Sequence, residues 1–324
     1  MKRLAITMGD PGGIGPEIII KALSFPEIAD YCDPVIIGDA SVMEEILMIL
    51  KLPFELKIIK TSDKFMHKTG TINLIDSGII KKFRKNKSTA EGGYACANYI
   101  KKAVELALNK KVDGIVTSPI SKEALKMAGF RWNGHTEMIS DLTKTKDYAM
   151  MLVGGPLRVI LVTIHTALKN VPSLITIQKV LKTIRLANKA CGMLRIKKPK
   201  IAVAGLNPHA GEGGIFGDEE IKKIIPAIKE AKKEGIPVSG PYPPDTIFNK
   251  AYKGEVDIVV CMYHDQGLIP LKMIAFEKGV NVTVGLPFIR TSPDHGTAYD
   301  IAWKGIANPS SMIEAIKLAT KLKM

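Results

Sequence analysis

The chain has 324 residues, 46% of them hydrophobic, so it can bury a sizeable core and is expected to form two lobes rather than one. Its formal net charge of +14 is compatible with a small anionic substrate or with a merely lysine-rich surface, whereas scattered Lys and Arg and 6% aromatic residues argue against nucleic acid. No uncharged apolar run approaches the roughly 18 residues of a membrane span, and four cysteines without C-x-x-C spacing fit reduced thiols, so we expect a cytoplasmic protein with no membrane segment.

The first predicted element is a strand that leads through a glycine-rich turn into a helix, in LAITMGDPGGIGPEIIIKAL. Pro16 suits the first helical turn. Such a loop can hold phosphate, but Gly13-x-Gly15 is followed by Ile18 where a dinucleotide fingerprint needs glycine. A tight turn that begins the fold is at least as good an interpretation. Asp39, after the second predicted strand, either binds a ribose or, as we favour, caps the following helix.

Short β-branched runs and helix-like segments alternate along the rest of the chain. ANYIKKAVELALNK and SSMIEAIKLATKLK repeat apolar residues on one helical face. This alternation predicts a largely parallel α/β sheet with helices on both faces. The basic run KKFRKNK, residues 81–87, is interpreted as a solvated loop. The predicted strands are Pro34–Asp39, Asp113–Pro119, Arg158–His165, Lys200–His209, Asp257–Asp265 and Asn281–Phe288.

Two groups of polar residues have the composition of a ligand site. In GHTE, His135 and Thr136 offer an imidazole and a hydroxyl at a predicted helix start, where a simple Thr cap is the alternative. In VNVTVGLPFIRTSPDHGTAYD, Arg290 lies among hydroxyl side chains and glycines. A guanidinium binds phosphate or carboxylate through two parallel hydrogen bonds, so this position favours an anion pocket over an ordinary surface arginine.

Three of the six histidines end predicted strands: His165, His209 and His264. Ligands of open parallel sheets bind at the carboxyl ends of the strands, so these imidazoles are expected to converge. Each alone is better explained as a hydrogen-bonded strand-end histidine, but three in the same role favour a divalent-metal site with an open position. Cys261 is three residues before His264, which places it on the opposite face of a strand and favours core packing.

Five motifs in chain order carry a family resemblance. TMGDPGGIGPEI, NGHTE, AGLNPHAGEGG, MYHDQGLIPLK and VNVTVGLPFIRTSPDHGTA together strongly resemble the 4-hydroxythreonine-4-phosphate dehydrogenase family, over nearly the whole chain. The family includes a branch that oxidises 4-phospho-D-threonate or 4-phospho-D-erythronate. Gly12 stands where GDPAGIG has alanine, and Pro293 where TSVDHGTA has valine.

The resemblance implies ligands and an assembly. It implies that His165, His209 and His264 bind one divalent ion, Zn, Mg, Co or Mn. It also implies a homodimer that binds a small phosphorylated hydroxy acid between its subunits. The substrate contacts that it implies are His135, Thr136, Lys272, Asn281 and Arg290.

A second resemblance concerns the segment HGTAYDIAWKGIANP, residues 295–309. It is similar to HGSAPDIAGKGIANP, the nucleotide loop of the β-decarboxylating isocitrate and isopropylmalate dehydrogenases, which bind NAD without a GxGxxG motif. Tyr299 departs from the proline of that loop and Trp303 from a glycine. The residues implied to lie near NAD are His295, Gly296, Thr297, Ala298 and Asn308.

This second resemblance also implies a fold. We expect two α/β/α lobes of the isocitrate and isopropylmalate dehydrogenase type, with the active site in the interlobe cleft at a dimer interface. Residues 1–130 and 285–324 would form the first lobe, and residues 131–284 the second, which carries the metal histidines.

The expected reaction is a metal- and NAD-dependent oxidation of the C3 hydroxyl of 4-hydroxythreonine 4-phosphate, followed by decarboxylation of the β-keto acid, as pyridoxal phosphate biosynthesis requires. Lys272 or Asp245 would transfer the proton, although Asp245 lies in GPYPPDTIF, which is otherwise a proline-rich turn. 4-Phospho-D-threonate and 4-phospho-D-erythronate are the alternative substrates. A metal-dependent hydrolase and a non-catalytic binder of phosphorylated metabolites are the other classes, and the nucleotide loop argues against both.

Overall fold

The computed structural model describes residues 1–61, 70–81 and 83–324. Lys82, within the basic run at 81–87, lies outside these residues. The chain divides into two compact units. The first is formed by Met1–Lys146 and Leu286–Lys321, and the second by Asp147–Gly285 and Leu322–Met324. None of the described helices is long and apolar enough to cross a bilayer.

Strands and helices alternate along most of the chain, as the sequence predicts. The strands are β1 Lys2–Thr7, β2 Cys32–Gly38, β3 Glu55–Ile58, β4 Thr71–Asp76, β5 Gly114–Thr117, β6 Ala149–Gly154, β7 Leu157–Leu161, β8 Ile201–Ala204, β9 Val238–Tyr242, β10 Ile258–Cys261, β11 Val280–Val284 and β12 Ile289–Pro293. The helices are α1 Gly15–Leu23, α2 Pro26–Tyr31, α3 Ala40–Leu50, α4 Ala90–Leu108, α5 Lys122–Met127, α6 His135–Leu142, α7 Val171–Leu174, α8 Ile177–Met193, α9 Ile225–Lys233, α10 Pro244–Tyr252, α11 His264–Ala275 and α12 Ser310–Lys321. Short helical turns at Leu168–Asn170, Pro208–Gly214 and Glu220–Ile224 complete the described structure.

The first unit has a parallel sheet of strand order β3-β4-β2-β1-β5-β12. Successive residues of a strand face opposite sides of a sheet. On one side Thr291 donates to the carbonyl of Ala315 in α12 at 2.8 Å. Arg290 therefore faces the other side, where α4 and α6 pack against each other. Because α6 packs on α4, the first unit continues past the predicted boundary at residue 130 as far as Lys146.

The second unit has a mixed sheet of strand order β11-β6-β7-β10-β8-β9. β6 pairs antiparallel with both β7 and β11, and the remaining pairs are parallel. Gly155 and Pro156 alone join β6 to β7, and a connection of two residues permits only an antiparallel hairpin. Leu152, Val159 and Val259 form part of the apolar core of this unit. This core holds β7 and β10 in place. His165 follows the end of β7, and His264 follows the end of β10.

Asp39 stabilises a loop and does not cap α3. It occupies the N-cap position, but its side chain makes no capping hydrogen bond. Its Oδ1 accepts the backbone N–H groups of Ile79 and Ile80 at 2.6 and 3.0 Å, and its Oδ2 accepts the hydroxyl of Tyr99. The favoured interpretation as a helix cap is therefore wrong, because these three donors outside α3 occupy the carboxylate.

Candidate active site

Two of the three predicted metal histidines lie together in the second unit. The ring centroids of His165 and His264 are 5.6 Å apart. They follow β7 and β10, which are neighbouring parallel strands. The pairing of these strands continues past their ends, since Thr163 donates two hydrogen bonds to the carbonyl of Met262, from its N–H at 3.2 Å and from Oγ1 at 2.7 Å. His264 is the first residue of α11, and its Nδ1 lies 2.7 Å from Asp265 Oδ1.

His209 is placed differently. It begins a run of left-handed residues, with φ of 51° at His209 and positive values through Gly213. Its Nδ1 lies 3.3 Å from Glu212 Oε2, and its ring meets Phe216 edge-on, with the centroids 5.8 Å apart. Within the residues that the structure describes, no three His, Cys, Asp or Glu side chains are grouped to hold a metal ion. The structure thus brings together two of the three predicted imidazoles.

Two buried residues that the sequence analysis did not single out hold the loop of His209. Glu220 accepts the N–H groups of Leu206 and Asn207 at 2.7 and 2.8 Å. Gln266 accepts the N–H of Met262 and donates to the carbonyl of Gly205, both at 2.7 Å, and so connects the ends of β10 and β8. Gln266 stands two residues after His264, and Glu220 follows AGLNPHAGEGG, so both lie near motifs that the sequence did mark.

The side chains at the ends of β7, β8 and β10 fit a divalent ion in part. Neutral imidazoles are common ligands of Zn, Co and Mn, and His165 and His264 present two of them at adjacent strand ends. His209 follows β8, the strand that pairs with β10, and its imidazole contacts Glu212. Cys261 is buried and its Sγ contacts the carbonyl of Val259, which agrees with the predicted core position.

Arg290 is a buried cation of the first unit, and its charge acts on the half-buried His135. The Arg290 side chain is 2% exposed, and its Nε and Nη2 donate to Thr117 Oγ1 at 3.2 and 2.6 Å. Burial lowers the pKa of Arg290 to about 9, and Glu137 acts in the opposite direction. Burial, and next the charge of Arg290, lower the pKa of His135 well below its ordinary 6.5, so the imidazole is neutral.

His135 Nε2 is buried and has no hydrogen-bond partner among the described residues. Buried polar nitrogens are normally paired, so this atom is available to a ligand. Ser118 Oγ and Thr7 Oγ1, at the ends of β5 and β1, are also buried without a described partner. The predicted neighbour Thr136 is buried beside His135 in α6.

The remaining predicted substrate and proton-transfer residues lie in the second unit. Asn281 is in β11, and its Oδ1 is a buried atom with no partner in the described structure. Lys272 is in α11, with Nζ 5.3 Å from the centroid of the Phe276 ring. Asp245 is exposed in the first turn of α10, in place of the expected proline-rich turn.

The predicted cofactor loop is bound to the glycine-rich N-terminal loop within the first unit. The carbonyl of Thr297 accepts the N–H of Ile14 at 3.0 Å. Tyr299 donates to Asp10 Oδ2 at 2.7 Å, and Trp303 donates from Nε1 to the carbonyl of Pro11 at 3.0 Å. The two departures from the dehydrogenase loop, Tyr299 and Trp303, thus both help to attach it here.

Trp303 occupies a conformation that normally belongs to glycine. Its φ is 64°, and the similar dehydrogenase loop has glycine at this position. A left-handed residue with a side chain costs about 1–2 kcal/mol. The indole offsets this cost with its hydrogen bond to Pro11 and with the ring of Phe83, whose centroid lies 4.9 Å away.

An ion pair in α1 holds the end of the same loop. Glu17 is 1% exposed, and its Oε1 accepts the N–H of Ala307 at 2.7 Å. Its Oε2 accepts the N–H of Gly305 at 3.3 Å. Lys21 donates to the carbonyls of Gly305 and Ala307 and to Glu17, each at 2.8 Å. Next along the chain, Asn308 Oδ1 accepts the N–H of Ser310 at 2.9 Å, at the start of α12.

The glycines of GDPGGIG allow the backbone to approach closely. A Cβ on Gly12 would lie 2.5 Å from the carbonyl oxygen of Lys87, and a Cβ on Gly13 would lie 2.9 Å from that of Thr297. Neither distance can accommodate a side chain. The structure therefore favours the tight-turn interpretation of this loop, and the close contact with Lys87 explains why glycine stands where the family motif has alanine.

These features place the chain among the α/β proteins that carry ligand groups at the carboxyl ends of parallel strands. The family model for pyridoxal phosphate biosynthetic protein PdxA matches residues 30–319. The chain belongs to the PdxA family, as the resemblance predicted.

Similar proteins cover the full length of the chain. A 4-hydroxythreonine-4-phosphate dehydrogenase of Desulforapulum autotrophicum is 48% identical, over 98% of this chain and 94% of the relative. A D-threonate 4-phosphate dehydrogenase of Pectobacterium atrosepticum is 47% identical, over 99% of both. The crystal structure of a 4-hydroxythreonine-4-phosphate dehydrogenase from Klebsiella pneumoniae has a TM-score of 0.90 at 44% identity, over 98% of each chain.

The predicted fold class is confirmed at the level of the α/β architecture. Beyond the family, a β-decarboxylating dehydrogenase from Thermococcus kodakarensis has a TM-score of 0.50 at 15% identity, over 97% of this chain and 81% of the other. At this identity the likeness concerns the fold alone. It agrees with the expected isocitrate and isopropylmalate dehydrogenase type.

Proposed function

We propose that the chain is an oxidoreductase that oxidises 4-hydroxythreonine 4-phosphate with NAD and a divalent metal ion. Its relatives at 47–48% identity are named dehydrogenases over nearly their full length. The observation that carries the proposal is the buried Arg290 next to a neutral His135 whose Nε2 is unpartnered. A buried cation beside an available imidazole nitrogen suits an anionic, hydroxyl-bearing ligand.

The substrate set combines charge and hydrogen bonding. Arg290 and Lys272 would neutralise the phosphate and carboxylate groups, since both side chains are cations. His135 Nε2 and Asn281 Oδ1 have no hydrogen-bond partner among the described residues. Both atoms would form hydrogen bonds with polar groups of the substrate. Thr136 would add a hydroxyl contact from the same helix start.

His165, His209 and His264 would hold the metal ion, and elemental analysis distinguishes among Zn, Mg, Co and Mn. When bound, the ion would supply Lewis-acid polarisation of the C3 oxygen, and NAD would supply the hydride acceptor. The C3 carbon would lose that hydride, and its hydroxyl would give its proton to Lys272 or Asp245, to form the β-keto acid. Loss of CO2 leaves the electron pair of the broken C–C bond on the product, which takes up a proton from Lys272 or Asp245.

The cofactor set consists of loop residues that follow β12. His295, Gly296, Thr297, Ala298 and Asn308 would contact NAD, which we expect to be preferred over NADP. The support is the resemblance of residues 295–309 to a nucleotide loop and the rigid attachment of this loop through Glu17 and Trp303.

The proposed active form is a homodimer with its active site in the cleft at the dimer interface. Support comes from α11, which exposes a row of apolar side chains: Ile269 is 60% exposed, Met273 84% and the adjoining Phe276 74%. Large exposed apolar patches commonly mark protein interfaces. Met273→Glu should shift the mass measured by light scattering from that of a dimer to that of a monomer. Lys253→Glu, on an exposed turn, is the control and should remain a dimer. A monomeric wild-type protein would contradict the proposal.

The test of the function is the absorbance of reduced nicotinamide in the presence of 4-hydroxythreonine 4-phosphate, NAD and a divalent ion. We expect absorbance to rise, and to stop rising with excess chelator. Release of inorganic phosphate without reduced nicotinamide would indicate the metal-dependent hydrolase instead. Binding of the substrate without any product would indicate the non-catalytic binder.

The second candidate substrates are 4-phospho-D-threonate and 4-phospho-D-erythronate. The D-threonate 4-phosphate dehydrogenase relative is as similar as the 4-hydroxythreonine one, at 47% against 48% identity. These substrates carry a hydroxyl at C2 where 4-hydroxythreonine phosphate has an amine. A site that pairs with one of these groups disfavours the other strongly. Side-by-side kcat/KM values would therefore decide between them, and a large excess for either phosphosugar acid would overturn our choice.

A further inference from the structure

We propose that Arg84 and Lys87 form an anion subsite that binds the diphosphate of the dinucleotide. The inference rests on the proposed function, because it adds two residues to the cofactor site of that enzyme. KKFRKNK is predicted from its charge to be a solvated loop, and the structure gives its second half a defined place beside the cofactor loop.

Residues 83–88 are attached to the cofactor loop at three points. Asn86 donates from Nδ2 to the carbonyls of Tyr299 and Ala302, at 2.8 and 2.7 Å. Ser88 donates to the Tyr299 hydroxyl at 3.0 Å, and Phe83 lies against the ring of Trp303. The segment therefore has a fixed position relative to the loop that is proposed to hold NAD.

A cavity of about 390 Å³ lies at this segment. It is lined by Phe83, Arg84, Lys87, Ser88, Thr89 and Glu91. Its volume falls in the range of small-molecule pockets. The cavity shares Phe83 and Ser88 with the contacts to Trp303 and Tyr299, so it adjoins the cofactor loop.

The charges of the cavity match a nucleotide. Neither Arg84 nor Lys87 forms an ion pair with any residue that the structure describes, although Lys85 between them pairs with Glu45. Two uncommitted cations suit the two negative charges of a diphosphate. Thr89 caps α4, a helix of 19 residues whose N-terminal dipole also favours an anion. The carboxylate of Glu91 repels free phosphate but can accept hydrogen bonds from ribose hydroxyls. The lining therefore favours a nucleotide over free phosphate.

Gly12 explains how the basic segment packs on the N-terminal loop. The N–H of Asn86 donates to the carbonyl of Gly12 at 2.8 Å, and a Cβ at position 12 would collide with the carbonyls of Lys87 and Arg84, at 2.5 and 2.8 Å. Glycine in place of the family's alanine therefore lets this basic segment lie directly on the N-terminal loop. An alanine here would displace the backbone that carries both cations.

The experiment compares Arg84→Gln, Lys87→Gln and the double variant with wild type. The KM for NAD should rise roughly tenfold in each single variant, which corresponds to about 1.4 kcal/mol for each lost charge-assisted contact, and should rise further in the double variant. The kcat and the KM for the phosphorylated substrate should stay unchanged. Lys81→Gln is the matched control, because it removes the same charge from the same run but does not line the cavity.

Binding of ADP, measured by calorimetry, separates this inference from the proposed function. ADP should bind wild type and Lys81→Gln alike and bind the double variant at least tenfold more weakly, whether or not the protein turns over substrate. Equal ADP affinity in all variants, or a rise in substrate KM with the NAD KM unchanged, would overturn the subsite. Wild type that binds ADP but never reduces NAD would overturn the proposed reaction and leave the subsite standing. Circular dichroism confirms that each variant is folded.

Discussion

Glu17 is the residue through which α1 sets the position of the cofactor loop, and Glu17→Gln tests that role. The carboxylate is 1% exposed and accepts the N–H groups of Ala307 and Gly305 while it pairs with Lys21. Glutamine keeps the shape and one acceptor oxygen but loses the charge. Lys21 keeps its two carbonyl acceptors, so its charge is not left alone. The loss of one charge-assisted bond and of the ion pair should cost about 2–3 kcal/mol of unfolding free energy.

The functional consequence of Glu17→Gln should concern the cofactor. The contacts of Glu17 hold the loop at Ala307, immediately before the predicted cofactor residue Asn308. The KM for NAD should therefore rise by about tenfold or more, while the KM for substrate changes little. Urea unfolding gives the stability change and initial rates give the two KM values.

Asp39→Asn supplies the control for a general loss of stability. Asp39 is also 1% exposed and accepts two backbone N–H groups, from Ile79 and Ile80, in the same unit. It makes none of the described contacts to the cofactor loop. Its substitution should destabilise the protein by a similar amount and leave the KM for NAD unchanged. If both variants raise that KM equally, the effect of Glu17 is only structural and our reasoning fails.

Three further predictions concern titration, cofactor and metal. Burial lowers the folded-state pKa of His135 below its unfolded value near 6.5, so the unfolded chain binds one more proton and unfolding free energy should fall as pH drops below 6.5. His135→Gln should remove up to about 1.4 kcal/mol per pH unit from that slope in urea titrations at pH 5 to 6.5, and an unchanged slope would contradict the assignment. Asn308→Ala should raise the KM for NAD more than that for substrate, and equal rises would remove Asn308 from the cofactor set. Replacing any of the three predicted metal histidines by alanine should strip bound metal from a folded protein, and full metal content in two of the three variants would place the site elsewhere.

The sequence predicted the parts of the fold that depend on local pattern. β-branched runs gave β2, β5, β7, β8, β10 and β11, and polar residues at strand ends marked His165 and His264. Their proximity followed from the rule that parallel strands present their carboxyl ends at one edge. The β6–β7 hairpin was not predicted, because only Arg158–His165 was assigned to a strand here, and AMMLVG, residues 149–154, has a single β-branched residue to mark it as one.

Long-range contacts could not be obtained from local pattern. Glu17 and Ala307 are 290 residues apart, and nothing in GPEIII indicates that its carboxylate accepts the N–H groups of a distant loop. Asp39 shows the same limit, since its partners at Ile79 and Tyr99 lie outside the helix that it was expected to cap. The left-handed turn that carries His209 follows Leu206 and Asn207, whose N–H groups are accepted by Glu220. A spacing rule for strand ends takes no account of this contact.

The central claim is that this chain oxidises and decarboxylates 4-hydroxythreonine 4-phosphate. The direct measurement follows reduced nicotinamide by absorbance and CO2 by a coupled or isotopic assay in the same reaction, with substrate labelled in the carboxyl carbon. We predict one CO2 for each reduced nicotinamide in wild type, and loss of both signals in Arg290→Gln, which removes the buried cation from the substrate set. Reduced nicotinamide without CO2, or neither product at saturating substrate, NAD and metal, would contradict the account.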